Sequence, residues 1–270
     1  MANISENSSG ANQTGERLLR LIELMSGKAE PVHITEIADE CGINVSTISR
    51  LMSTLQAAGY VSKDTNTNLY SLTYKICKLS DQVKKNMDIV RIVRPYLKKL
   101  ANDVKHTVGL YAAVEENARC ICRIDDYAAE PAGPAAEESV PMYCFAAGKL
   151  FLLSHTAEQL RKKYGEGSMT AYTRQTITSA DELRRELLQA HVQGYSTDWN
   201  EYQENTADIA APIRDYSNRI IAAICISSKS AGMSPEQIYS VVTPILNQAA
   251  VISELMGYNA REDREPHARR

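Results

Sequence analysis

Between Ile34 and Val61 the chain reads ITEIADECGINVSTISRLMSTLQAAGYV, and Ser46, Thr47, Ser49, Ser53 and Thr54 crowd one short segment beside Arg50. Hydroxyls and a guanidinium at this density offer hydrogen bonds to phosphate oxygens and base edges. The reactive residue types elsewhere do not assemble. Cys120 and Cys122, in ARCICRID, are too close for the usual zinc spacing, and no histidine follows closely. In a strand the two would share a face. His106, His155 and His191 are scattered, and no His-linked nucleophile, phosphate loop or metal-spaced cluster accompanies the cysteines. The reading is therefore of no catalytic residues, no metal and no cofactor, with the six cysteines as thiols and mostly small buried hydrophobes.

The elements that must carry the hydroxyl-rich segment follow from apolar spacing. Leu18, Leu21, Ile22 and Met25 recur as one helical face that Gly27 stops. Thr35 can cap a second helix, Glu36 favours its positive end, and Ile37, Ala38 and Cys41 face inward before Gly42. Asn44 is a good N-cap for a third, in which Ile48, Leu51, Met52 and Leu55 form the inner face until Gly59. YVSKDTNTNLYSL then alternates around the turn formers Asp64 to Asn68, as a hairpin does. Two helices about a glycine turn, followed by such a wing, form a winged helix-turn-helix, whose second helix enters the DNA major groove by its N-terminal end. With the apolar face turned inward, Val45, Ser46, Thr47, Ser49, Arg50 and Thr54 are left to meet double-stranded DNA. Thr35 and Lys63 complete the expected DNA-binding set.

The net charge of −3 does not announce a nucleic-acid binder, but the charge is uneven. From Tyr74 to Lys105 nine basic residues face three acidic ones, a local +6. Helical patterns in YKICKLSDQVKKN and DIVRIVRPYLKKLANDV follow the wing, the second with Val93, Leu97, Leu100 and Val104 on one side. From Val108 the period changes: VGLYAAV and ARCICRID read as a hairpin, AAEPAGPAAEESVP as a loop, and TADIAAPI and RIIAAICIS as central strands. Thr156, Ser179 and Ser234 each open a reciprocal capping pattern. The fold class is α+β, an antiparallel sheet with helices against it behind the winged domain. The expected divisions are a disordered leader 1–13, the winged helix-turn-helix 14–73, a linker helix 74–87, the second domain 88–258 and a disordered tail 259–270. No apolar run is long enough to span a bilayer, and the polar start lacks a secretion signal, so the chain is read as cytoplasmic.

The helix-turn-helix block, the wing end LYSL, DIVRIVRPYLKKL, AAGKLFLL, GYSTDWNE and DIAAPIRDYSNRIIAAICIS, in this order from about Arg17 to Tyr258, resemble the isocitrate-lyase-regulator (IclR) family of bacterial transcription regulators. Lys105–His106–Thr107 departs from the family's Gly-Glu-Thr, and Asn68–Leu69 from its wing glycine with a basic neighbour. The resemblance implies a GAF-like effector-binding domain and assembly as dimers or tetramers on partly palindromic operators. It places Ala146, Ala147 and Gly148 at a wall that receives a small organic acid, faced by Asp198, Thr206, Asp208, Cys225 and Ser227. Alternation independently sets Cys225 and Ser227 on one face, and Thr206 and Asp208 on one face, opposite Ile209, Ile224 and Ile226. The expected function is a ligand-responsive repressor of a catabolic operon. A thiol redox sensor on DNA and a GAF-fold cysteine enzyme are the alternatives.

Overall fold

The computed structural model describes residues 12–86, 88–128, 130–165, 167–229 and 235–259. Two compact units divide the chain, residues 1–87 and 88–270.

The first unit contains α1 (Gln13–Ser26), α2 (Ile34–Cys41), α3 (Val45–Ala57), the strands β1 (Val61–Lys63) and β2 (Tyr70–Leu72), and α4 (Lys75–Asn86). Asn12 caps α1 by accepting from the Thr14 and Gly15 N–H groups, so Gln13, placed in the leader from sequence, opens the helix. The rest of that expected leader, residues 1–11, lies outside the described residues. Thr35 does not cap α2. His33 is the N-cap, its carbonyl already accepting from Ile37 N–H at 3.3 Å, and Thr35 stands inside the first turn. Gly42 ends α2 at φ +64°, and Asn44 opens α3 with its side-chain oxygen 2.8 Å from Thr47 N. Leu21, Met25, Ile37, Ile48, Met52, Leu55, Val61 and Tyr70 close one small core. The wing turn is built by Asp64, whose carboxylate accepts from Asn66 and Thr67 N–H, and by Asn68 at φ +59°.

The second unit opens with α5 (Ile89–Val104), capped by Asp88, and continues through β3 (Thr107–Val114), β4 (Asn117–Ile124), β5 (Ser139–Pro141), α6 (Ala146–Phe151), α7 (Ala157–Lys163), α8 (Ala180–Gln193), β6 (Ser196–Trp199), β7 (Thr206–Arg214), β8 (Ile220–Lys229) and α9 (Pro235–Leu255). The strands form one antiparallel sheet in the order β5-β4-β3-β8-β7-β6. One face packs Ile209, Ile224 and Ile226 against Val93, Leu97 and Leu100 of α5 and Ile245 and Ile252 of α9. The other packs Tyr111, Ala210 and Cys225 against Phe145, Ala146, Ala147 and Leu150. Strand alternation thus sorts Cys225 from its isoleucine neighbours as expected.

Three further expectations are corrected. Cys120 and Cys122 do not share a face: the register steps from Leu110↔Cys122 to Tyr111↔Cys120, a bulge that leaves Ile121 extra. Cys120 therefore joins the Tyr111 core and Cys122 the α5 side. At Ser179 the helix start is as expected, but the side chain makes no capping bond, whereas Thr156 and Gln159 form the full reciprocal box. The proline-containing stretch before Pro141 is not wholly loop: its last residues are β5, and Ala132 is buried with its N–H on Thr107 Oγ1 at 3.1 Å. Ser234 and residues 260–270 of the expected tail lie outside the described residues.

Candidate DNA interface and inner pocket wall

Helix α3 turns Ile48, Leu51, Met52 and Leu55 into the core and leaves Val45, Ser46, Ser49, Arg50 and Thr54 exposed, with Thr47 half-buried. Val45 is 43% exposed at the helix start, an apolar side chain left facing outward. No acidic residue occupies the first turn of α3, so its N-terminal partial charge is uncompensated toward a phosphate. Asn44 holds that turn through Thr47 N–H and also accepts the Ser46 hydroxyl at 2.9 Å. The density of hydroxyls has a second cause: Ser53 and Thr54 donate to the Ser49 and Arg50 carbonyls of their own helix, at 2.9 and 3.1 Å. Thr35 is exposed on α2, and Lys63 on the wing is exposed with its ammonium 5.5 Å from the Tyr70 ring centre.

Five of the residues expected around an effector, Asp198, Thr206, Asp208, Cys225 and Ser227, are buried on the second unit's sheet. Asp208 and Ser227 are cross-strand partners, and the Ser227 hydroxyl donates to Asp208 Oδ1. Cys225 Sγ lies 3.8 Å from the same oxygen. Asp198 is the register partner of Asp208 on β6. Its Oδ1 accepts from Glu201 N–H at 2.7 Å while its buried Oδ2 has no hydrogen-bond partner. Burial pushes the Asp208 carboxyl up to about 7 against the hydrogen bonds from Ser227 and Cys225, and pushes Asp198 well above the carboxylate range with help from the facing Asp208. Thr206, at the strand start, donates to Gln203 O at 2.6 Å. Ala146, Ala147 and Gly148 belong to α6, which packs over β6, β7 and β8. Gly148 is required there because a β-carbon would run into the Met142 backbone.

The side chains that sequence reasoning passed over decide much of the local electrostatics. Lys149 is 1% exposed, and its ammonium reaches Glu201 Oε1 at 2.5 Å and Thr197 O at 3.0 Å. Its signal was visible as one lysine inside the apolar run AAGKLFLL. A cavity of about 680 Å³ is lined by Arg123, Asp125, Gly133, Glu138, Tyr172 and Tyr202 among others, and none of the eight expected effector residues lines it. Arg123 holds Asp125 at 2.8 Å and donates to the Gly133 and Pro134 carbonyls, and Tyr202 donates to Glu138 at 2.8 Å. Gly133, at φ +75°, also lies directly on Ser227 and close to Asp208, so loop backbone stands between this cavity and the buried acids. Cys120, Cys144 and Cys225 are poor nucleophiles: burial pushes Cys120 up to about 11 and raises Cys144 and Cys225 well above the ordinary thiol value. Among the described residues no cluster of histidine, cysteine and acid could hold a metal ion, and no helix is long and apolar enough to cross a membrane.

A winged reading head followed by a sensor-type sheet domain defines a DNA-binding transcription regulator with a C-terminal effector domain. Residues 16–65 match the IclR helix-turn-helix domain and residues 81–254 the bacterial transcriptional regulator IclR C-terminal domain, and the chain belongs to the IclR family. It is 28% identical over 233 residues to the HTH-type transcriptional regulator KdgR of Escherichia coli, covering 86% of this chain and 89% of that protein. It is 26% identical over 267 residues to the DNA-binding transcriptional repressor YiaJ of E. coli, covering 97% and 94%. The crystal structure of the Agobacterium tumefaciens repressor BlcR superposes with a TM-score of 0.75 at 21% identity, covering 93% of this chain and all of that one, and shares its fold.

Proposed function

We propose that this regulator is a homo-oligomeric, cytoplasmic repressor of a catabolic operon, that its α3 face reads a partly palindromic operator, and that its second unit senses a small organic-acid metabolite. The observation that carries the reading is the α3 geometry: a capped helix whose apolar side is sealed in the core while Ser46, Thr47, Ser49 and Arg50 stand at its outward N-terminal half. In this reading Thr35, Val45 and Lys63 flank the groove and Thr54 closes the contact. Repression is supported by similar proteins that are themselves repressors, YiaJ of E. coli and BlcR of A. tumefaciens among them.

For the effector, the sheet wall of Asp198, Thr206, Asp208, Cys225 and Ser227 beneath Ala146–Gly148 is the proposed inner surface. An acid is compatible with two buried carboxyls there only if they carry protons, and a carboxyl lifted to about 7 does so through most of the acidic range. Entry requires the Gly133 segment to lift from Ser227, a step that links ligand arrival to a shape change. The test is to incubate the purified protein with fragments of its own genome, sequence what it retains, and titrate candidate acids against the recovered site. Retention of one partly palindromic site beside catabolic genes, released by a metabolite of that pathway, is the expected result. Retention without sequence preference, or release only by non-acids, overturns the corresponding part.

A further inference from the structure

Three consecutive carbonyls at the end of the recognition helix, Ala58, Gly59 and Tyr60, all accept hydrogen bonds from the short stretch that begins α4. Lys75 Nζ donates to Ala58 O at 2.6 Å, Thr73 Oγ1 to Gly59 O at 2.6 Å, and Thr73 N–H to Tyr60 O at 2.9 Å. The Lys75 ammonium also sits 4.4 Å from the centre of the Tyr60 ring. Gly59, at φ +78°, keeps its α-carbon bare toward the lysine stem; a β-carbon there would lie 3.8 Å from Lys75 Cδ.

This arrangement is more than a helix cap. A cation on the last carbonyls of α3 complements the negative end of that helix. The cation, however, belongs to the first residue of a different helix. Along α4 none of residues 75–82 is buried, so no core holds this helix to the winged domain over that length. Its direction relative to the recognition helix is then set by the bonds at its start. A rigid bond between the two transmits any tilt of α4 to α3, whereas a loose one lets the reading head rotate independently.

We propose that Lys75, backed by Thr73, is a positioning residue for operator recognition: it locks the start of α4 to the C-terminal end of α3 and thereby fixes the separation of half-sites that the assembled regulator accepts. Lys75 touches no base in this role. The inference rests on the proposed oligomeric binding to a two-part operator, and its closing experiment separates the two.

The measurement is the affinity of full-length protein for the retained operator and for versions of it with two base pairs inserted or removed at the centre, for wild type, Lys75→Met and Lys75→Arg. Methionine keeps the stem and loses the charge and the bond; arginine keeps both. Wild type is expected to reject the altered spacings. Lys75→Met is expected to bind the native spacing about five- to tenfold more weakly, because a reading head no longer locked to α4 must be ordered on the operator, while its discrimination between spacings collapses. Lys75→Arg is expected to restore both, and the thermal midpoint of the variants is expected to stay at the wild-type value. Unchanged discrimination in Lys75→Met overturns the proposal. So does an equal loss at every spacing accompanied by a lowered midpoint, which is the mark of a merely structural role. A wild type indifferent to spacing also overturns it, and in that case the two-part operator fails with it; failure of the two-part operator alone is read from the retained DNA sequence.

Discussion

The α3 face and the inner face of the second unit's sheet treat polar groups in opposite ways. On α3 the apolar face of Ile48, Leu51, Met52 and Leu55 is sealed and every candidate contact residue except the half-buried Thr47 is exposed, so each polar group there is solvated and costs little to place. On the sheet Asp198, Asp208 and Ser227, and beside it Lys149 of α6 and Glu201 after β6, are all buried, and each depends on a specific partner for its charge or hydrogen bond. A DNA-reading surface must wait for its ligand in water. A buried sheet face is dry, and so its polar groups are tied to the stability of the domain that holds them.

The largest expected effect tests that dependence directly. Lys149→Met removes the cation from a nearly closed site and leaves Glu201 and the Thr197 carbonyl unanswered, which should destabilise the second unit by about 3 to 5 kcal/mol, as for other broken buried pairs. Thermal unfolding of Lys149→Met beside the double variant Lys149→Met/Glu201→Gln checks it, the double variant being the less damaged. A single variant as stable as wild type would mean that the sheet side carries no such cost and would erase the contrast with α3.

Next in size is the pH dependence carried by Asp208. Its folded pKa is raised to about 7 from an ordinary value near 3.8, so between these values the folded state binds more protons than the unfolded one. The stability it contributes is therefore full below about pH 4 and is lost as pH rises through about 7. Asp198, raised in the same direction, adds to the same trend. Denaturant unfolding followed from pH 5 to pH 8 should show the second unit weakening by a few kcal/mol, and Asp208→Asn should flatten that slope. A slope of opposite sign, or one untouched by Asp208→Asn, contradicts the protonated wall on which an acidic ligand depends.

On the exposed side the effects move from folding to binding. Arg50→Ala should leave unfolding unchanged and weaken operator binding by about 1 to 3 kcal/mol, read by titration of the retained DNA at fixed salt. Asn44→Ala sits between the two regimes. It removes the side-chain oxygen that accepts from Thr47 N–H and should lower the stability of the first unit by about 1 kcal/mol, with binding affected only through the fraying of the first turn.

The same contrast explains what the residue order disclosed. The α3 face was legible because an amphipathic helix states its own inside and outside: Ile48, Leu51, Met52 and Leu55 define the core, and the rest faces out. The face assignments on β7 and β8 were legible for the same reason, since alternation separates Cys225 from Ile224 and Ile226 without any knowledge of the fold. Alternation failed at Cys120 and Cys122 because a bulge is a mismatch between two strands and is written in neither alone. The cap expected at Thr35 lies two residues too far along because α2 opens at His33, which makes no side-chain cap bond, so no capping residue marks the start. Gly133 over Ser227, 94 residues apart in sequence and close in space, and the reach of Lys149 to Glu201 are tertiary facts with no local pattern to announce them.

The smallest expected effect bears on where the reading surface ends. Thr54 is exposed and in phase with Arg50, yet its one hydroxyl hydrogen is engaged with the Arg50 carbonyl. A phosphate offers only acceptors, so the hydroxyl can serve it only by giving up the helix bond, an exchange of one hydrogen bond for another. Thr54→Ala should therefore shift operator affinity by no more than about 0.5 kcal/mol, within the range of an ordinary surface substitution. Ser49→Ala, whose hydroxyl is nearer the helix start, is the control measured beside it. If Thr54→Ala costs as much as Arg50→Ala, the helix bond breaks on DNA and the contact surface extends a full turn further along α3. If it costs nothing while Arg50→Ala costs its full share, reading is confined to the first two turns, where Asn44 holds the helix end toward the groove.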